Sequence, residues 1–121
     1  MPVKLEQIKN AAERLSPYIR HTPLLRSENL DAVLQCKAYF KPENLQVTGS
    51  FKARGAVYKL LNLTDDKKRH GIITASSGNH AQGVAYAGKT LGINTTVVLP
   101  EDVAEMDIIS RFFFHTHQNN Y

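Results

Sequence analysis

Residues 71–99 read GIITASSGNHAQGVAYAGKTLGINTTVVL, and the fold follows from this stretch. Ile72, Ile73, Thr74 and Ala75 make a short apolar run between a glycine and a serine pair, the composition of a buried strand. A turn follows at Ser76, Ser77, Gly78, Asn79 and His80. Residues 81–91 then read as a helix whose small residues Ala81, Ala85 and Gly88 allow close approach to a sheet. Gly92 closes that helix, because glycine accepts the left-handed conformation common just past a helix C-terminus. Residues 95–99 form a second apolar run, predicted to be a buried strand, that stops at Pro100. Two strands joined through a helix form a β-α-β unit with parallel strands, which makes the chain α/β.

In an open α/β sheet, ligands bind beyond the carboxyl ends of the strands, and residues 76–80 form such an end with free helix amides pointing out of it. An anion fits there. Ser77 offers a hydroxyl, Asn79 an amide that donates and accepts, and Gly78 lets a ligand approach the backbone. The glycine and lysine spacings of a dinucleotide fingerprint or a P-loop are absent. Taken alone, the same turn also reads as a plain helix cap. His80 reads either as a proton-transfer group or as an imidazole hydrogen-bonded to its neighbours.

Upstream, Thr48, Gly49 and Ser50 have loop chemistry, with Ser50 able to accept hydrogen bonds from the first amides of a helix beginning near Phe51. Apolar residues at Phe51, Val57, Tyr58, Leu60 and Leu61 predict a helix packed on one side and ending near residue 63. Lys52 then lies in the first turn, where the helix dipole disfavours an ammonium by up to about 1 kcal/mol. That position suits a neutral, nucleophilic lysine able to form a Schiff base. A solvated lysine at a helix end is the plainer reading of the same position.

The remaining elements are read from period and punctuation. Residues 3–15 form an amphipathic, half-buried helix that stops before Pro17. Residues 21–27 are extended and end in a turn, and residues 28–34 are a short helix or loop. Residues 36–41 alternate as a strand that Pro42 ends. The run Lys67-Lys68-Arg69, flanked by Asp65 and Asp66, reads as a solvated loop rather than a nucleic-acid surface.

With 121 residues, 42% of them hydrophobic and 21% charged, the chain has the composition of one small globular domain. Its formal charge of +4 is scattered. The single cysteine, Cys36, has no internal partner for a disulfide and points to a reducing, cytoplasmic setting. The N-terminal segment is neither a signal peptide nor a membrane span. No metal site is expected, although His115 and His117 point the same way if their segment is a strand.

Residues 41–56, KPENLQVTGSFKARGA, and residues 74–83, TASSGNHAQG, together closely resemble the threonine/serine ammonia-lyases (dehydratases) and serine racemases. These are fold-type II, tryptophan synthase β-like, pyridoxal-phosphate enzymes. The HTPLL core of residues 20–26 is similar to the family's early strand, and the likeness runs from about residue 5 to residue 103. It implies that Lys52 forms the Schiff base with pyridoxal 5'-phosphate and acts as base at the substrate Cα. Phe51 flanks the cofactor ring, Asn79 hydrogen-bonds its phenolic oxygen, and Ser76, Ser77, Gly78, Asn79 and His80 hold the substrate carboxylate. The implied reaction converts a small hydroxy amino acid to a 2-oxo acid and ammonia. A serine at the position of Ser77 keeps serine racemisation open, since it acts from the opposite face in racemases of this kind.

The resemblance also predicts organisation. Residues 1–48 are the N-terminal part of the large domain, residues 49–103 most of the small parallel-sheet domain, and residues 104–121 a tail unlike the family. The glycine-rich loop that holds the cofactor phosphate is expected beyond this sequence, so the chain by itself is expected to be inactive or to act only by association. Family members are usually homo-oligomers. Sheet edges and faces that normally meet the rest of the large domain are expected to be exposed and to favour association.

Overall fold

A computed structural model describes residues 2–100. The predicted tail at residues 104–121, with His115 and His117, lies outside the described residues. The element order is α1 (Leu5–Leu15), β1 (Leu25–Arg26), α2 (Glu28–Leu34), β2 (Tyr39–Phe40), a 3-10 turn (Glu43–Leu45), α3 (Lys52–Leu61), α4 (Asp65–His70), β3 (Ile72–Ala75), α5 (Asn79–Leu91) and β4 (Thr95–Val98).

Strands β3 and β4 pair in parallel, Ile72 with Thr95 through Ala75 with Val98, and α5 crosses between them. The β-α-β unit is therefore as expected. Its strands are not buried, however: each alternates between half-buried and exposed residues, and Ile73 is 73% exposed. One face packs on α5, and among the described residues nothing covers the other. A second, antiparallel sheet pairs Leu25 with Phe40 and Arg26 with Tyr39. Of the predicted strand at residues 36–41, only Tyr39 and Phe40 form the ladder. Asp31 in α2 supports that ladder, accepting from Arg26 Nε at 2.5 Å and from the Ala38 amide at 2.7 Å.

The core lies between α3 and α5. Ala53, Ala56, Val57 and Leu60 on α3 are buried, as are Ala81, Val84, Ala85 and Ala87 on α5. Small residues on both helices bring the two backbones close, so little apolar volume is enough to seal the interface. Gly88 and Gly92 end α5: Gly92 is left-handed at φ 66°, and the Ile93 amide donates to the Gly88 carbonyl at 2.8 Å. That turn drops Ile93 into the core with Leu15, Val57, Leu60 and Val84.

Three other expectations are corrected. Helix α1 is anchored only at its end, by buried Leu15 and by Arg14, which donates to Asn62 Oδ1 at 2.5 Å and lies 5.6 Å over the Tyr58 ring. Its other apolar residues, Leu5 and Ile8, face outward. Phe51 does not share the packed stripe of α3 and is 59% exposed, because it precedes the helix as its cap residue. Residues 67–69 are helical rather than looped. The Thr64 side chain caps α4, Asp65 and Asp66 sit at the positive end of its dipole, and Lys67, Lys68, Arg69 and His70 sit at the negative end. Among the described residues, no helix is long and apolar enough to cross a membrane.

Candidate active site

Helix α3 starts where the sequence places it, and its first turn is held from several sides. Ser50 Oγ accepts the Lys52 amide at 3.3 Å, the local capping expected of that serine. Arg54, on the same turn, forks onto Glu43: Nε donates to Oε2 at 2.8 Å and Nη2 to Oε1 at 2.7 Å. Thr22 closes the cluster, its hydroxyl donating to Glu43 Oε1 at 2.6 Å and accepting from Arg54 Nη2 at 3.2 Å. Lys41 Nζ donates to the Thr22 carbonyl at 2.9 Å. Beside this, buried Gln46 exchanges hydrogen bonds with the Arg20 backbone at 2.8 and 2.9 Å. The loop before Lys52 is thus tied both to the 20–22 segment and to α3.

The fork is charge-assisted and largely shielded, which makes it strong. Hydrogen bonds from Arg54 hold the Glu43 carboxyl at about 2 instead of 4.5, helped by the Thr22 hydroxyl and the charges of Arg54 and Lys41, while burial opposes the shift. The same pairing raises the Arg54 pKa. A depressed carboxyl contributes stability that is complete above its unfolded value and lost as pH falls through its folded one. Acid should therefore remove on the order of 2–3 kcal/mol between pH 4.5 and about 2. Chemical denaturation at stepped pH checks this. Glu43→Gln should flatten the profile across that window, and an unchanged profile would contradict the assignment.

From the third side comes α5. A Cβ on Gly83 would lie 3.0 Å from both the carbonyl carbon and the oxygen of Lys52 and 3.2 Å from the Ala53 amide nitrogen. Glycine here lets α5 rest directly on the backbone that carries the lysine. The Lys52 side chain leads into a cavity of about 430 Å³ lined by Phe51, Lys52, Lys59, Ile73 and His80 among others. Its Nζ sits 5.1 Å from the Phe51 ring centroid, and no carboxylate pairs with it among the described residues.

The turn at residues 76–80 stands at the carboxyl end of β3, as expected. The Ser76 amide donates to the Val98 carbonyl at 3.2 Å, extending the ladder by one bond, and Ser76 Oγ accepts the Gly78 amide at 3.4 Å. Gly78, the cap residue of α5, has no side chain of its own with which to cap that helix. Helix first-turn amides at such an end suit an anion. Gly78 has an extended backbone, and a Cβ there would meet nothing within 4 Å, so open space lies in front of the turn. Of the predicted site residues, the cavity gathers Phe51, Lys52 and His80. Ser76, Ser77, Gly78 and Asn79 lie outside its lining, with Asn79 exposed at the start of α5.

These parts fit an aldehyde cofactor and an amino-acid substrate: an amine with no counter-ion among the described residues, an aromatic face beside it, and a helix N-terminus for an anion. Such a set on an α/β scaffold suits a pyridoxal-phosphate site. The chain belongs to the pyridoxal-phosphate dependent enzyme family, whose pattern residues 15–110 match. It is 50% identical over 100 residues to the catabolic L-threonine dehydratase TdcB of Staphylococcus aureus (strain USA300), covering 82% of this chain and 29% of that protein. Among solved structures, maize serine racemase superposes with a TM-score of 0.85 at 34% identity, covering 97% of this chain and 36% of that one. A threonine deaminase from Solanum lycopersicum superposes with a TM-score of 0.72 at 32% identity, covering 89% and 31% respectively. The fold is that of fold-type II enzymes, and the family cofactor is pyridoxal phosphate. The chain spans less than a third of the length of the curated relative.

Proposed function

We propose that this chain carries the lysine and carboxylate-binding parts of a threonine/serine ammonia-lyase. The observation that carries the reading is the Lys52 amine, without a carboxylate partner among the described residues, in a cavity it shares with His80 at the N-terminus of α5. Lys52 would hold pyridoxal phosphate, and its free amine would take the proton from the substrate Cα. The cofactor, when bound, accepts the electron pair left on that carbon. Amides of residues 79 and 80, with the side chains of Ser77 and Asn79, orient the substrate carboxylate so that the Cα–H bond faces the lysine. Phe51 covers the ring and excludes water. Loss of the β-hydroxyl as water and hydrolysis of the remaining imine give a 2-oxo acid and ammonia, so threonine yields 2-oxobutyrate.

Residues 1–48 then belong to the large domain and residues 49–103 to the small one, in a cytoplasmic enzyme that associates with copies of itself. Serine racemisation is the second reading, supported by the hydroxyl of Ser77 on the turn. Two measurements test the proposal. Borohydride reduction of the chain mixed with pyridoxal phosphate should place the pyridoxyl group on Lys52 by mass spectrometry, and labelling spread over surface lysines would sink the assignment. Threonine should give 2-oxobutyrate, whereas D-serine accumulating from L-serine faster than any oxo acid would favour the racemase.

A further inference from the structure

We propose that Arg54, Glu43 and Thr22 form a positioning cluster for Lys52, fixing the rotation of α3's first turn so that the lysine meets the cavity. This rests on the reading of Lys52 as the Schiff-base residue. Successive helical residues are turned by about 100°, so Arg54, two positions on, projects from nearly the opposite side of α3. The fork to Glu43 pins that side at two points, at 2.7 and 2.8 Å, and Thr22 adds a third hydrogen bond at 3.2 Å. A single contact would leave the turn free to roll. A planar guanidinium held on both carboxylate oxygens does not, because rolling breaks both bonds together.

The remaining contacts complete the frame. Gly83 stops the turn from moving toward α5, and Ser50 holds the Lys52 amide. Forked to Arg54 and hydrogen-bonded by Thr22, both Glu43 oxygens are engaged. None of the three residues lines the cavity, so they act through the backbone and not on a ligand.

The test compares two reactions of the same amine in the full chain. One is imine formation with pyridoxal phosphate, trapped by borohydride. The other is acylation by a small N-hydroxysuccinimide ester, which needs only exposure. Both are read at Lys52 by mass spectrometry and normalised to Lys37. Arg54→Met should lower the Lys52 imine rate at least tenfold with acylation unchanged or faster, and Arg54→Lys, which keeps the charge but not the fork, should recover only part of it. General loosening would move the two reactions together, and that result, or full recovery by lysine, overturns the proposal. If Arg54→Met does not fold, Thr22→Val, which leaves the ion pair in place, should lower the imine rate at least twofold, and no change would overturn the proposal. Absence of Lys52-selective imine in the unaltered chain would instead overturn the underlying assignment of the lysine.

Discussion

Lys52→Ala should abolish site-selective pyridoxyl labelling and leave only the slow background seen at exposed lysines. Whatever 2-oxobutyrate formation the unaltered protein supports should fall by at least about 10²–10⁴, the range lost with a positioned proton-transfer group, and further because the cofactor loses its anchor. Stability should hardly change. The side chain is half-buried, without an ion pair among the described residues, and alanine is the better helix former. This separation of a large chemical effect from a small folding effect marks a residue kept for reaction rather than for packing. A substantial loss of stability, or labelling that persists at undiminished yield, would remove Lys52 from the mechanism.

Gly88→Ala should have the largest effect on folding. An added Cβ would fall 1.9 Å from Thr95 Oγ1 and 3.0 Å from the Ile93 carbonyl oxygen, and neither can yield easily. Thr95 is β-branched, its hydroxyl donates to the Ile93 carbonyl at 3.0 Å, and its strand is paired with β3. Alanine gains about 1 kcal/mol of helix propensity over glycine. Overpacking, chiefly against the Thr95 side chain, should cost more than this, for a net destabilisation of about 1–3 kcal/mol. Thermal denaturation should show the midpoint falling by roughly 5 °C or more for a domain of this size. Adding Thr95→Ala should restore most of the loss. An unchanged midpoint would mean that α5 can move away from β4 without cost.

The β-α-β unit was legible because its apolar runs are short, its helix is rich in small residues, and Gly92 and Pro100 punctuate it unambiguously. The exposure of Ile73 and Val98 was not legible in those runs, which read as buried strands, and only the resemblance gave an expectation of exposed sheet faces. An apolar run states what a strand prefers to touch, and whether a second layer is present depends on residues elsewhere in the protein. Helix α4 escaped notice because it has no apolar stripe, although Thr64 followed by Asp65, Asp66 and three basic residues is a complete capping and dipole pattern.

Within the candidate site, Lys52 and the turn at residues 76–80 were readable as candidates, since unusual residue types stand at helix starts. The supporting cluster was not. Thr22, Glu43 and Arg54 come from three segments, and only the folded chain brings them together. A usable signal was present in Gly83: a glycine inside an otherwise regular helix costs about 1 kcal/mol and asks for a close neighbour. Sequence alone does not say that the neighbour is the lysine's own carbonyl.

That contact also has a bearing on the order of assembly. The turn carrying the amine is complete only after β3 has formed and α5 has docked, so a nascent chain ending before residue 83 has the lysine but not its seat. Reactive aldehydes met early therefore find an ordinary side chain. On the proposed role of Lys52, selective adduct formation there would serve as a clock for folding, reporting the moment at which the two helices close.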